Sequence, residues 1–403
     1  MTFQRRLVVV CAGWLMISIG MCWTARAFEE QSAQDQPPAG EGGSRPSFQS
    51  RSAELREQQL ASTGGTSESE RAVAAAINWL ARHQNPDGSW GCQKCERQCK
   101  DPSCTAHRKK DGAEYPMAAT AFGVLPFLTT GQTHETKGPY QGVIRKGLLW
   151  MSTHQDRKTG RLGTGSMYEH GLATIAICEA YGLSKDAKLK PIAQAAVRFT
   201  EDAQNDVSGG WHYTANPPTV GDTSVFGWQF MSLKSAQMAG LPVNPQTLVK
   251  AKKFLASVSK GKSGGLFSYM PESGPAPAMS AVGLLCNQHG GMKRSDPAIK
   301  DGKNYLMANL NGTAFDSYFL YYASQVMHNL PGPEWDKWNE HVREMLLSNQ
   351  IKEGCAVGSW APVGHSAGPV MATSIHALTL EVYYRYEPIY SKDEPKGDPP
   401  KKE

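Results

Sequence analysis

Strong charge of either sign is missing from this chain. Its 403 residues carry a net charge of +5, spread along the sequence, which gives no basic face for nucleic acid. No stretch has the GxxxxGK[ST] spacing whose backbone amides cradle phosphates. No convincing run alternates apolar and polar residues, so a sheet-built core is not expected. What is plentiful is apolar residues, 40% of the chain, with 40 Gly and 25 Pro to punctuate them. That balance describes a globular protein with an ample core and many turns.

The first residues read as an export signal. Arg5-Arg6 precede a nearly wholly apolar run from Leu7 to Trp23, and Ala25-Arg26-Ala27 follows as a small-x-small site. Residues 1–27 are therefore expected to be a signal peptide, the alternative being an uncleaved membrane anchor. Export to the periplasm or the outside follows either way, and that N-terminal segment is the chain's only expected membrane contact. Residues 28–66, rich in Gln, Ser, Gly and Pro, read as a disordered linker, and 391–403 as a disordered charged tail.

Between these lies a repeat. A helix-like segment ending in Gln leads into a glycine turn at Ala75–Gln84 with Asn85–Gly91, at Gly147–Gln155 with Asp156–Gly163, and at Ala196–Gln204 with Ser208–Trp211. Weaker copies begin near Ala251, Gly302 and His341, so the anchors recur at roughly 40 to 70 residues, a two-helix period. Second helices are expected at Met117–Leu128, Met167–Tyr181, Asp222–Ala239, Ala278–Gln288, Asp316–His328 and Met371–Tyr386. They are apolar or small nearly all round, whereas the first helices carry Lys, Arg and Glu on one side. Buried helices inside and amphipathic helices outside make an all-α fold, an α/α toroid (α/α barrel) of about six helical hairpins over 67–390. The alternative is an open solenoid of the same hairpins.

Polar groups fall at the expected starts of the inner helices. Glu169, His170 and Asp222 are the acid–base candidates, because a buried carboxyl or imidazole there has a shifted pKa. Tyr168, Trp211, Trp228, Asp316, Tyr318, Tyr322 and His365 are the candidates to line a cavity. Capping of free helix amides is the competing role for Asp222 and Asp316, and plain core packing is the competing role for the aromatics. His83 and His154, beside the repeat glutamines, read as structural caps. Cys92, Cys95, Cys99 and Cys104, with His107, cluster in an insertion at 91–110. Two disulfides suit an exported protein, and a small structural zinc site is the other reading. Cys178, Cys286 and Cys355 read as single buried thiols.

The Gln…Asp87-Gly88-Ser89-Trp90-Gly91 turn resembles the repeat motif of squalene–hopene and other terpenoid cyclases. The span from Ser67 to Tyr390 is similar to the prenyltransferase/squalene-oxidase repeat superfamily. It is most similar to an exported bacterial group of unassigned activity with signatures at Met167–Thr174, Gly221–Gln229, Ala281–Cys286, Tyr321–His328 and Thr379–Arg385. The resemblance implies the toroid and an apolar, isoprenoid-like ligand in its central cavity, bound or transformed. The departures weigh against the superfamily's known chemistries. There is no Asp-x-Asp-Asp acid, Asp222-Thr223-Ser224 stands where a zinc-binding Asp-x-Cys pair is required, and Gly354-Cys355-Ala356-Val357 lacks the Glu-Gln of a thioester. Whether the protein is an enzyme is therefore left open. The alternative is a non-catalytic exported binding or scaffold protein that meets a protein partner through its rim and Cys-rich loop; a third reading, a glycan-degrading toroid, would want several exposed Trp, Arg and Tyr along an open groove.

Overall fold

The computed structural model describes residues 48–91, 115–217, 219–311, 316–362 and 368–390. The expected signal peptide, the Cys92–His107 cluster, His365 and the charged tail lie outside the described residues. Among those described, fourteen α-helices and one two-stranded hairpin are formed. A 3-10 turn at Gln49–Arg51 leads to α1 (Ala53–Thr63). Six outer helices follow: α2 (Ser67–Arg82), α4 (Gln141–Thr153), α6 (Leu189–Asp202), α8 (Pro245–Val258), α10 (Pro297–Asn309) and α12 (Pro333–Asn349). They alternate with six inner ones: α3 (Pro116–Thr129), α5 (Met167–Ser184), α7 (Thr223–Met238), α9 (Pro277–His289), α11 (Ser317–His328) and α13 (Pro369–Leu380). A last turn, α14, covers Val382–Arg385. The hairpin β1 (Ser259–Lys260) and β2 (Leu266–Phe267) pairs antiparallel between α8 and α9.

The two layers follow from composition. The inner helices bury residues on all sides, as in α7, where Thr223 to Leu233 are buried without a break. The outer helices bury one stripe, as in α6, where Leu189, Ala193, Ala196, Val197 and Thr200 face inward. Each inner helix packs on the next, and α13 packs on α3, so the layer closes. The protein is an all-α, α/α toroid.

The repeat glutamine explains how neighbouring hairpins are joined. Gln84 Nε2 donates to Gly88 O of its own turn and to Val143 O of the next outer helix, at 3.0 and 2.9 Å. Gln155 does the same to Gly160 O and Ile192 O, and Gln204 to Gly209 O and Thr247 O. Gln350 donates to Gly358 O and to Ala72 O of α2, so one bond type makes the first three junctions between successive hairpins and also the junction of last to first. Glycine is required in these turns. Gly209 has φ +76°, and a Cβ there would stand 2.0 Å from Lys250 O. The turn tryptophans are plugs: Trp90, Trp211 and Trp360 are fully buried and donate Nε1 to Leu80 O, Thr200 O and Leu346 O. His83 and His154 sit at the C-caps of α2 and α4, each bonding a carbonyl four residues back and stacking on Trp79 or Trp150.

Two expectations are corrected. Part of the supposed linker is folded onto the ring: Phe48 and Arg51 are buried, and α1 follows. The low apolar content of 48–66 concealed this, because the segment is held by polar contacts with groups of distant helices. Thr63 O accepts from Trp335 Nε1, and Gly64 O accepts from Asn339 and Arg343. Cys355 is not a free thiol but half of a disulfide, whereas Cys178 and Cys286 are free and buried as expected.

Candidate functional site

The inner helices all start at one end of the ring, here called the mouth, and end at the other, the floor. Their first amide hydrogens need acceptors, and this need places the polar residues. Asp222 caps α7, its Oδ1 accepting from the Ser224 and Val225 amides. Asp316 caps α11 in the same way, from Tyr318 and Phe319. The capping role foreseen for both residues is the one observed. In each, Oδ2 accepts no hydrogen bond among the described residues. Main-chain carbonyls finish the caps: Met167 N–H donates to Tyr213 O, and Thr223 N–H to Tyr269 O.

These bonds draw tyrosines to the mouth. Tyr168 OH donates to Ser224 Oγ at 2.5 Å, and Ser224 Oγ donates in turn to Asp222 Oδ1. Tyr318 OH donates to Ser224 O at 2.8 Å. Tyr168 and Tyr213 rings lie 5.5 Å apart. Burial raises the Tyr269 phenol above its ordinary value, and the Asp222 and Asp316 charges add to the rise, so both carboxylates are within electrostatic reach of that ring. Tyr115, Tyr213 and Tyr269 are 39%, 43% and 43% exposed, beside an exposed Met270. No periodicity or motif in the sequence singles out these three tyrosines. Each lies beside an inner-helix start, outside any helix, and that position was the signal available.

Glu169 and His170 do not act as a pair. Glu169 is buried, accepts from the Gly165 amide at 2.8 Å and faces the Met117 and Ala118 amides at the start of α3. Burial raises its carboxyl pKa, against those donors and Arg161, which lower it. His170 is turned away from the mouth toward α6. Leu162 N–H donates to Nδ1, and Nε2 donates to Thr200 Oγ1 at 2.9 Å and Ala196 O at 3.2 Å. Burial lowers its pKa to about 3, so it is neutral, with both nitrogens spent on packing. A consecutive pair on a helix points about 100° apart, which is why only one of the two is near the mouth.

Among the described residues, aromatic side chains meet across the middle of the ring. Trp228 of α7 stands across the axis: it stacks on Tyr321 of α11 at 5.6 Å and meets Phe122 of α3 edge-on at 6.0 Å. None of these helices is a ring neighbour of the other. Tyr318 and Tyr322 close around the same indole. Trp211 is a turn plug, its Nε1 donating to Thr200 O. Two small cavities nearer the floor hold about 10 Å³ each, the room of one water. The bulk of the buried aromatics forced this outcome, since inner helices this rich in Tyr, Phe and Trp fill the space they enclose.

The floor is sealed by charge. Arg51 Nη1 meets Glu179 Oε2 at 2.7 Å with both side chains fully buried, and Arg51 Nε donates to Arg385 O. Arg385 Nη1 donates to Tyr321 OH, and Tyr386 OH to Glu179 Oε1. Burial opposes ionisation of Glu179, but Arg51 and Arg385 outweigh it and hold its pKa below the ordinary value. Sequence reasoning missed this cluster, although a Glu within an otherwise apolar inner helix marks it.

No family model matches the chain, and no curated protein matches it. Solved structures do. An inactive α-1,6-mannanase variant of Salegentibacter, in complex with α-1,6-mannotriose, superposes with a TM-score of 0.55 at 13% identity, over 78% of this chain and 99% of that one. A variant of the type II terpene cyclase MstE of Scytonema, in complex with geranylgeranyl dihydroxybenzoate, gives 0.51 at 12%, over 82% and 98%. An α-amylase of Clostridium perfringens gives 0.54 at 10%, over 78% and 97%. At these identities the likeness is one of fold.

Proposed function

We propose that this protein binds a small molecule at the mouth of the ring and not along its axis. The observation that carries this is Trp228, whose indole occupies the axis where an isoprenoid would have to lie. The mouth offers what the axis does not: exposed tyrosine faces and two carboxylates, each with an oxygen outside its cap. Structural neighbours with small molecules bound, one a mannotriose and the other a prenylated benzoate, support a ligand-binding role for the fold without choosing between ligands. An exported location is part of this reading, and the Cys355 disulfide, which suits an oxidising compartment, supports it.

Saturation-transfer NMR with a small-molecule library that includes isoprenoid alcohols tests the site. Ligands found should weaken or disappear with Tyr269→Ala and persist with Trp228→Phe, which keeps an aromatic ring on the axis. Loss with Trp228→Phe and retention with Tyr269→Ala would return the site to the axis.

A further inference from the structure

Taking the mouth as the binding site, as proposed above, we infer that its ligand is a neutral chain of hydroxylated rings, an oligosaccharide in chemical class. Among the described residues the exposed tyrosines are spread over three inner-helix starts. Tyr115 precedes α3, and the main chain of Tyr213 and of Tyr269 meets the starts of α5 and α7, so one such tyrosine stands beside the start of each of three successive inner helices. A ligand that uses several of them is extended, with repeated flat apolar faces to lay on tyrosine. It also carries hydroxyl donors. The Oδ2 of Asp222 and that of Asp316 accept no hydrogen bond among the described residues, so each capping carboxylate keeps one oxygen open to solvent.

An isoprenoid covering these carboxylates would strip their water and return no donor, which is costly. An anionic ligand would meet both charges at close range. A neutral polyol satisfies Oδ2 and leaves the capping Oδ1 undisturbed. The hydroxyl chain Tyr168–Ser224–Asp222 holds the carboxylate in place for that contact, because Ser224 Oγ and two backbone amides already fix Oδ1.

Titration calorimetry on the full exported protein decides, with neutral hexose oligosaccharides of increasing length, carboxylated oligosaccharides of matched length, and farnesol as probes. Affinity should rise with the number of neutral rings and fall with carboxylation. Tyr213→Ala and Tyr269→Ala should each weaken neutral-oligosaccharide binding about threefold to tenfold, while Tyr269→Phe, which keeps the ring face, should bind nearly as well as the parent. Circular dichroism confirms that the variants fold. Farnesol binding that weakens in the same alanine variants, without oligosaccharide binding, overturns the ligand class and leaves the mouth as the site. If no probe responds to either alanine variant, the class and the mouth fall together.

Discussion

Glu381 occupies a position that a carboxyl rarely tolerates. It is fully buried in the turn between α13 and α14, and neither oxygen has a hydrogen-bond partner in the described structure. Burial raises its pKa well above the ordinary carboxyl value, with Arg385 acting in the opposite direction. The folded state therefore holds a proton that the unfolded chain releases above about pH 4.5. Above that pH the folded state binds the more protons, so stability drops as pH climbs toward the folded pKa. Glu381→Gln keeps the shape and removes the titration. It should flatten the stability–pH curve above about pH 4.5 by roughly 1.4 kcal/mol per pH unit and raise stability at alkaline pH. Urea denaturation across a pH series reads this, and an unchanged slope would show that Glu381 is ionised in the fold. At this scale the sequence was informative where local rules govern. Asp222 and Asp316 could be read as caps because capping depends on the next three residues. His170 could not be read, since its partners Thr200 and Ala196 belong to another helix and nothing local announces them.

The 3-10 turn and α1 behave as a strap across the floor. Arg51 joins α3, α5 and α14 through Leu128 O, Glu179 and Arg385 O, and its guanidinium lies over the rings of Phe48 and Tyr386. Removing it leaves Glu179 charged, buried and short of its nearest cation. Arg51→Ala should thus cost about 3–5 kcal/mol. Arg51→Met with Glu179→Gln, which removes both charges but keeps the volume and an acceptor for Arg385 and Tyr386, should cost less. Chemical denaturation of the single and double variants tests this. Equal losses in both would mean that the strap holds by packing and not by charge. The inner and outer helices were legible because each carries its own period of apolar residues. The strap was not, because α1 buries none of its own residues and draws its order from groups on α12 far along the chain.

For the molecule as a whole, closure is what separates a toroid from the open solenoid that the same repeats would also allow. In an open array a terminal repeat contacts one neighbour, so loosening it frays an end and spares the rest. In this ring Gln350 bridges Gly358 O and Ala72 O as Gln204 bridges Gly209 O and Thr247 O, which makes the junction of last and first hairpins equivalent to an internal one. The repeats and their order could be read from the glutamines and glycines. Closure is not legible in the same way, since it depends on the summed tilt of six hairpins and no single residue encodes that. The structure predicts that Gln350→Ala and Gln204→Ala each strand two carbonyls, cost about 1–3 kcal/mol, and lower the single cooperative transition by similar amounts. Hydrogen exchange distinguishes the alternatives. A closed ring spreads the Gln350→Ala loss over amides of all six inner helices, whereas confinement of faster exchange to α2, α12 and α13 would mean that the ring is held as an open array whose ends merely touch.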